Sequence, residues 1–218
     1  MPALSVTDLA FSYRGEGFRL CVPSLAVESG TTLALAGASG GGKTTLLRLM
    51  TGLLPPQAGR VCLGEQNLSG LNRESLRAFR LRHIGLVFQD FALLDYLTVE
   101  ENILLPHQFS RDTLSSARRN LPALLERLQM ERYRAKTVSQ LSQGERQRVA
   151  IARAMAHEPR FLFADEPTAS LDPARGRIVT DLLIDDARRR QSVLIVVTHD
   201  HALLPRFDQT RRMEEFAA

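Results

Sequence analysis

The feature that most constrains the fold is a glycine-rich loop between an apolar run and a helix-like segment. It reads Gly37-Ala38-Ser39-Gly40-Gly41-Gly42-Lys43-Thr44 and separates the apolar run 31–36 from a helical pattern at 45–51. Glycines let a backbone wrap around a polyphosphate with its N–H groups inward, and the start of a helix adds partial positive charge. We expect Lys43 to reach the outer phosphates and Thr44 to offer its hydroxyl to Mg²⁺. The sequence therefore predicts a phosphate-binding loop.

The composition favours a globular, cytosolic protein. With 218 residues and 44% hydrophobic content, the chain can bury a sizeable core. Its apolar runs are far shorter than the roughly 20 residues that span a bilayer, and we see no secretion signal at the N-terminus. Any membrane role would pass through a partner. Cys21 and Cys62 have no second cysteine nearby, so we expect both to be buried, reduced packing residues.

The net charge of +4 is a weak argument for a nucleic-acid or anionic membrane partner. All but two of the 28 basic residues, Lys43 and Lys136, are arginines, and they are scattered along the chain. We expect the densest cluster, at 188–190, to solvate a helix end.

Three apolar segments predict antiparallel strands beside the loop: 4–13, 18–27 and 60–63. Tyr13 ends the first of them. An aromatic residue there could stack on a purine base, or it could be a half-buried strand residue, and its position leaves both interpretations open.

Polar residues also stand at the ends of buried strands, where parallel sheets bind ligands. Gln89 follows the run 84–88, and Asp165 and Glu166 follow 161–164. In a nucleotide hydrolase, Asp165 would hold Mg²⁺ through water and Glu166 would polarise the attacking water. His199 follows 193–198 and could donate a hydrogen bond to a γ-phosphate. The alternative is that Asp165 and Glu166 are unpaired acids in a loop and that His199 is structural. The phosphate-binding loop upstream in the chain disfavours this alternative.

The stretch 91–156 is predicted to be helical. Thr98 and Glu101 have capping-box spacing, and an apolar stripe between 113 and 130 predicts a helix that Pro122 interrupts. Ser142 and Glu145 form a second capping box. With Gly144 and free N–H groups at a helix start, this segment predicts a second anion site.

Taken in chain order, these motifs resemble the ATP-binding-cassette (ABC) ATPases from Leu4 to Met213. The resemblance implies an α/β fold of the P-loop NTPase, ABC type, with a RecA-like core, an antiparallel β subdomain and an inserted α-helical subdomain. The single domain 1–218 would divide into a core with the β subdomain, 1–90 and 157–218, and a helical part, 91–156, that carries the signature motif.

The resemblance also implies the residue roles. Tyr13 stacks on adenine, the stretch from Gly37 to Thr45 is the Walker A motif, and the signature residues Ser142 and Gly144 bind nucleotide. Gln89 is the Q-loop residue and contacts Mg²⁺, which Thr44 and Asp165 also hold. Glu166 is the catalytic base, Asp172 in Ser170-Leu171-Asp172 belongs to the D-loop, and His199 is the switch histidine.

The chain departs from the family pattern at three positions. Gln143 and Glu145 replace the third and fifth residues of the usual Leu-Ser-Gly-Gly-Gln signature. The stretch 88–102 is similar to the bacterial lipoprotein-release, macrolide-efflux and cell-division ATPases, with Asp95 where that group often has proline or another small turn residue.

The resemblance implies an ATPase subunit of a bacterial ABC transport complex, with ATP and Mg²⁺ as cofactors. Two copies would sandwich two ATP, and a groove near 89–97 would receive a short helix of an integral membrane permease at the cytoplasmic face. A soluble ABC ATPase acting on DNA or ribosomes is the alternative. It fits poorly, because the stretch between Gln89 and Leu141 is too short for a coiled-coil insertion and the chain holds one cassette. No nucleic acid is therefore expected. A small P-loop kinase or GTPase would leave 141–145 unexplained.

Overall fold

The computed structural model of the chain describes residues 3–13 and 18–216. Within them the strands are β1 (Leu4–Ser12), β2 (Arg19–Val27), β3 (Thr32–Ala36), β4 (Ala58–Leu63), β5 (Gln66–Asn67), β6 (Ile84–Val87), β7 (Phe161–Asp165), β8 (Val193–Thr198) and β9 (Gln209–Arg212). The α-helices are α1 (Lys43–Met50), α2 (Arg73–His83), α3 (Val99–Leu104), α4 (Arg111–Arg127), α5 (Gln143–Met155) and α6 (Pro173–Arg190).

The strands form two sheets. One is antiparallel with the order β2-β1-β4-β5, as expected for the three predicted segments. The other is parallel with the order β6-β7-β8-β3-β9. The strands β3, β7 and β8 are buried along their whole length, because parallel sheets are covered on both faces.

Successive residues of the parallel sheet point into two different cores. Leu33, Leu35 and Phe163 pack with α1 and the antiparallel sheet. Ala34 and Ala164 face the opposite way and pack with the helical segment between β6 and β7 and with α6. This period of two explains why the strands read as continuous apolar runs. The glycine loop, Gln89, Asp165 and His199 lie at one edge of the parallel sheet, because they stand at the carboxyl ends of β3, β6, β7 and β8.

The helical segment is built from α3, α4 and α5. Both predicted capping boxes are confirmed: Thr98 with Glu101 begins α3, and Ser142 with Glu145 begins α5. The predicted division of the chain at residues 90 and 156 stays a prediction. No helix in the described ranges is both long enough and apolar enough to cross a bilayer.

The expected interruption at Pro122 is wrong. The helix α4 runs through it from Arg111 to Arg127. Proline removes one backbone donor, yet the buried stripe that includes Ala117, Leu121 and Leu125 holds both halves against the same core. Packing therefore outweighs the local penalty.

The expected burial of the two cysteines is also wrong. Cys21 is exposed and Cys62 is half-buried. Leu20 and Val22 point into the core, so the alternation of β2 turns Cys21 outward. The arginines at 188–190, expected to solvate a helix end, form ion pairs with Asp186, Glu158 and Asp208.

Candidate functional site

The phosphate loop joins β3 to α1 and leaves the start of that helix open. Gly42 is the N-cap of α1 with φ 85°, and no side chain caps the helix there. Gly40 has φ 81°, also in the left-handed region that favours glycine. A Cβ at Gly42 would lie 2.6 Å from the Phe18 ring. The loop is therefore an uncapped helix start with close backbone approach, the arrangement that binds phosphate.

The Lys43 ammonium lies over this loop. Its Nζ donates to the carbonyl oxygens of Gly37 at 2.8 Å and Ala38 at 3.0 Å, and it lies 3.7 Å from Glu166 Oε1. The side chain is only 7% exposed. Burying an ammonium is costly without partners, and here two carbonyls and a carboxylate supply them. A polyphosphate would replace these partners with stronger ones.

Glu166 is held from both sides. Its Oε2 lies 2.9 Å from His199 Nδ1 and accepts the His199 backbone N–H at 3.4 Å, while Oε1 faces Lys43. Its φ of 51° is unusual for a residue with a Cβ and costs on the order of 1 kcal/mol. The bond from its N–H to Val197 O, 2.9 Å, ties that conformation to β8. The carboxylate is thereby fixed in place, as a general base must be.

Asp165 has the properties of a metal ligand. Burial raises the pKa of its carboxyl above the usual range, and the Thr44 hydroxyl opposes that rise. Among the described residues, its Oδ1 is buried without a hydrogen-bond partner. Thr44 and Gln89 line the same pocket. Mg²⁺ prefers oxygen ligands and is usually held by one or two carboxylates together with substrate phosphates. These three residues fit such an ion.

Tyr13 and Phe18 form the aromatic side of the site. Ser12 pairs with Arg19 in the antiparallel sheet, so Tyr13 and Phe18 lie side by side, with ring centroids 5.9 Å apart. The Tyr13 hydroxyl lies 3.2 Å from Thr45 Oγ1. Tyr13 is half-buried and also lines the pocket, so both interpretations of its role stand and stacking on adenine stays a prediction. Sequence reasoning missed Phe18, which the register of the predicted hairpin could have identified.

The structure brings most of the predicted residues into one pocket of about 490 Å³. That volume lies in the range of small-molecule sites. Gly37 and Gly41 belong to the loop beneath it, since the Lys43 ammonium bonds the Gly37 carbonyl and Gly41 N–H donates to Ala38 O. The predicted residues that line the pocket are Tyr13, Ser39, Gly40, Gly42, Lys43, Thr44, Thr45, Gln89, Asp165, Glu166 and His199.

The signature residues line a different pocket, of about 610 Å³. Ser142 begins α5, and Glu145 Oε2 accepts hydrogen bonds from the Ser142 N–H at 2.8 Å and its hydroxyl at 2.7 Å. Gly144 and Arg175 line the same pocket. Among the described residues, the two pockets share no lining side chain. The predicted nucleotide-binding residues of one copy of the chain therefore lie in two separate pockets.

Asp172 caps helix α6 in this structure. Its carboxylate accepts the backbone N–H groups of Ala174 at 3.1 Å and Arg175 at 3.0 Å. An acid followed by proline at a helix start is a capping signal that the sequence already contained. The predicted D-loop role of Asp172 stays a prediction.

Comparison with known proteins gives a consistent result. A family model described as ABC transporter matches residues 21–169. The uncharacterized ABC transporter ATP-binding protein YbbA of Escherichia coli is 41% identical over 189 residues, which cover 87% of this chain and 83% of that protein. The lipoprotein-releasing system ATP-binding protein LolD of Desulfotalea psychrophila is 39% identical, covering 85% and 83%. The phosphonates import ATP-binding protein PhnC of Wolinella succinogenes is 38% identical, covering 94% and 77%.

Solved structures agree with this result. The dimeric ATP-binding cassette MJ0796, in a post-hydrolysis state bound to ADP and Pi, superposes with a TM-score of 0.85 at 29% identity, covering 96% of this chain and 93% of that one. The predicted fold, an α/β P-loop ATPase of the cassette type, is confirmed.

Proposed function

The chain belongs to the ABC transporter family, and from that premise we propose that it powers a permease acting on lipids, lipoproteins or extruded compounds. It is an ATP-hydrolysing subunit of a transport complex. The similarity to LolD supports the lipoprotein or lipid class. The relatives are named for transport, which favours a membrane partner over DNA or ribosomes. We propose that the chain lies at the cytoplasmic face of the membrane.

The observation that carries this proposal is the fixed carboxylate of Glu166 in the pocket of the phosphate loop. Lys43 and His199 hold its two oxygens, so the carboxylate can orient a water molecule and accept its proton beside the bound phosphates. When phosphates enter, Lys43 exchanges loop carbonyls for phosphate oxygens. His199 is 59% exposed on its side chain and can turn toward a γ-phosphate while its backbone stays on Glu166.

Thr44, Gln89 and Asp165 would hold Mg²⁺ with the nucleotide. The ion would neutralise phosphate charge and orient the phosphates. The unpartnered Oδ1 of Asp165 supports this assignment, because a buried carboxylate oxygen is costly unless a cation or donor meets it.

Two copies of the chain would complete each site. Ser142 and Gly144 of one copy would face the phosphates on the loop of the other, in a two-fold arrangement. The separation of the two pockets within one chain supports this proposal. Ser142, at the start of α5, is exposed, so a second copy can reach it.

The test is ATP turnover by the purified chain with Mg²⁺. Glu166→Gln keeps the size of the side chain and removes its basicity, so we expect ATP binding to persist and turnover to fall by at least about a hundredfold. Glu65→Gln, in the exposed turn before β5, is the matched control and should turn over ATP at the wild-type rate. Equal turnover in Glu166→Gln and the control would overturn the assignment of the base.

A further inference from the structure

The pocket that Ser142 and Gly144 line is densely charged. In the described chain, the lining of this signature pocket includes three acids and three arginines: Glu126, Glu131, Glu145, Arg132, Arg148 and Arg175. In the two-copy arrangement proposed above, the pocket faces a triphosphate, which carries several negative charges. The balance of charge among the lining side chains therefore decides how well the pocket accepts that ligand.

Glu145 makes the start of α5 less favourable for a phosphate than the usual signature would. It stands where that signature has glutamine, which is neutral. The Tyr133 hydroxyl, together with Ser142, lowers the pKa of Glu145 to about 2, so the carboxyl is ionised at pH 7. The Ser142 hydroxyl donates to this carboxylate at 2.7 Å and is thereby already engaged. An entering phosphate meets a negative charge here, and a cation of the pocket must offset it.

Two of the three arginines already serve groups of their own copy. Arg132 donates to the Tyr133 hydroxyl at 2.7 Å, and its guanidinium lies 4.7 Å from the centre of the Tyr133 ring. Arg148 is half-buried, and its charge stabilises the ionised Glu145 carboxylate. Neither guanidinium is therefore free to meet a ligand without giving up a contact within the chain.

Arg175 is the arginine of the signature pocket that the described chain engages least. Its side chain is 70% exposed, and its Nε lies 3.4 Å from Asp172 Oδ2, an exposed ion pair of a kind that contributes little to stability. Arg175 is also the third residue of α6, where a cation opposes the helix dipole. Residues that break a local preference in this way are expected at functional sites.

We propose that the Arg175 guanidinium binds the γ-phosphate of the ATP held on the glycine loop of a second copy, and that it offsets the negative charge of Glu145 there. The inference rests on the proposed two-copy function and adds a binding residue to that site. The planar fork of a guanidinium matches two oxygens of a phosphate, so Arg175 exchanges a weak ion pair for a charge-assisted one. ADP lacks the γ-phosphate, so Arg175 favours dimers that hold ATP.

A carbodiimide tests the contact directly, because it joins an amine to a phosphate or to a carboxylate that lies against it. Arg175→Lys adds an amine to a chain whose own lysines are Lys43 and Lys136, and peptide mapping separates the three positions. The variant is made in the Glu166→Gln background, dimerised with Mg²⁺ and ATP labelled in its γ-phosphate, and then treated. We expect label at position 175 as well as at Lys43. Arg177→Lys, exposed on the same helix, is the control and should stay unlabelled.

The products of this reaction separate the possible partners of Arg175. A dimeric sample with label at Lys43 and none at position 175 would overturn the inference. A crosslink from position 175 to a carboxylate of the second copy would also overturn it, because the partner would then be protein and not phosphate. A Glu166→Gln parent that stays monomeric with ATP would instead refute the proposed two-copy function.

The charge argument has its own test in the ATP concentration that gives half-maximal dimerisation of Glu166→Gln chains. Adding Arg175→Gln should raise that concentration at least about tenfold, whereas Arg177→Gln should leave it unchanged. Glu145→Gln removes the charge that Arg175 offsets, so it should lower the concentration more in the Arg175→Gln variant than in the parent. An unchanged value in Arg175→Gln, or equal effects of Glu145→Gln in the two backgrounds, would contradict the proposal.

A melting curve without nucleotide distinguishes this role from a structural one. Because the Arg175 charge opposes the dipole of α6 and its ion pair with Asp172 is exposed, Arg175→Gln should not lower the melting temperature. A lower melting temperature together with weaker dimerisation would assign Arg175 to the stability of α6 and would overturn the inference.

Discussion

Glu145 at the start of helix α5 gives the sharpest test of the local structure. Its Oε2 accepts the Ser142 N–H at 2.8 Å and the Ser142 hydroxyl at 2.7 Å, and its own N–H donates to that hydroxyl oxygen at 3.4 Å. Loss of a cap costs about 1 kcal/mol, and loss of an acid from the first turn costs about 0.3–1 kcal/mol. Glu145→Ala should therefore destabilise the chain by about 1–2 kcal/mol. Glu145→Gln keeps an acceptor and loses only the charge, so about 0.5 kcal/mol is expected.

The pH dependence follows from the same contacts. The Tyr133 hydroxyl, together with the hydroxyl and N–H of Ser142, holds the pKa of Glu145 at about 2, below its ordinary 4.5. A carboxyl with a depressed pKa stabilises the folded state above its unfolded pKa and loses that contribution as the pH falls through its folded pKa. The stability gap between wild type and Glu145→Ala should thus be full at pH 7 and shrink between about pH 4.5 and pH 2.

Urea unfolding at pH 7 and at pH 3 measures both effects. Glu65→Ala, in an exposed turn, is the control and should change stability by less than about 0.5 kcal/mol. A Glu145→Ala variant as stable as Glu145→Gln at pH 7 would refute the capping argument.

Three further outcomes are expected. Lys43→Ala and Lys43→Arg should both lose ATP turnover in a phosphate-release assay. The alanine removes the charge, and the planar guanidinium of arginine cannot replace the compact ammonium bonded to Gly37 O and Ala38 O. Wild-type turnover in either variant would contradict the role of Lys43. Gly85→Ala should destabilise the chain by about 1–3 kcal/mol in a melting experiment, since its Cβ would lie 2.2 Å from Ala154 O. Gly70→Ala, whose Cβ would meet only Asn67 Nδ2 at 4.0 Å, should be tolerated, and equal melting temperatures would argue against the packing of β6 on α5. Tyr96→Glu should leave folding and ATP binding intact but abolish assembly with the membrane subunit, because this side chain is 74% exposed within the stretch 89–97 that is predicted to receive that subunit. Ile178→Glu, 66% exposed on α6, is the control, and unchanged assembly of the Tyr96 variant would move the interface elsewhere.

The sequence predicted the parts of the fold that depend on local spacing. The glycine loop, the capping boxes at Thr98 and Ser142, and the polar residues at strand ends are all set by residues close together in the chain. Within the stretch 89–97, which was predicted to receive the membrane partner, the side chain of Tyr96 is exposed, while Phe91, Leu93 and Leu94 are half-buried. Which of them faces solvent depends on packing that spacing does not describe.

The contacts that sequence reasoning missed are tertiary. Arg153 meets the carbonyls of Phe91 and Ala92 across about sixty positions of chain, and Glu166 meets Lys43 only because β7 lies near the loop. The continuity of α4 through Pro122 has the same origin, because the shared core overrides a local preference. Local patterns locate the chemical groups, and the sheet order determines which of them meet.

The most direct test of the two-copy ATPase is the mass of Glu166→Gln in solution, measured by light scattering with and without ATP and Mg²⁺. The variant should bind ATP and barely hydrolyse it, so the closed state should accumulate. We expect the mass of one chain without nucleotide or with ADP, and twice that mass with ATP and Mg²⁺. A strictly monomeric species at saturating ATP, with the membrane subunit also present, would contradict the sandwich of two half-sites.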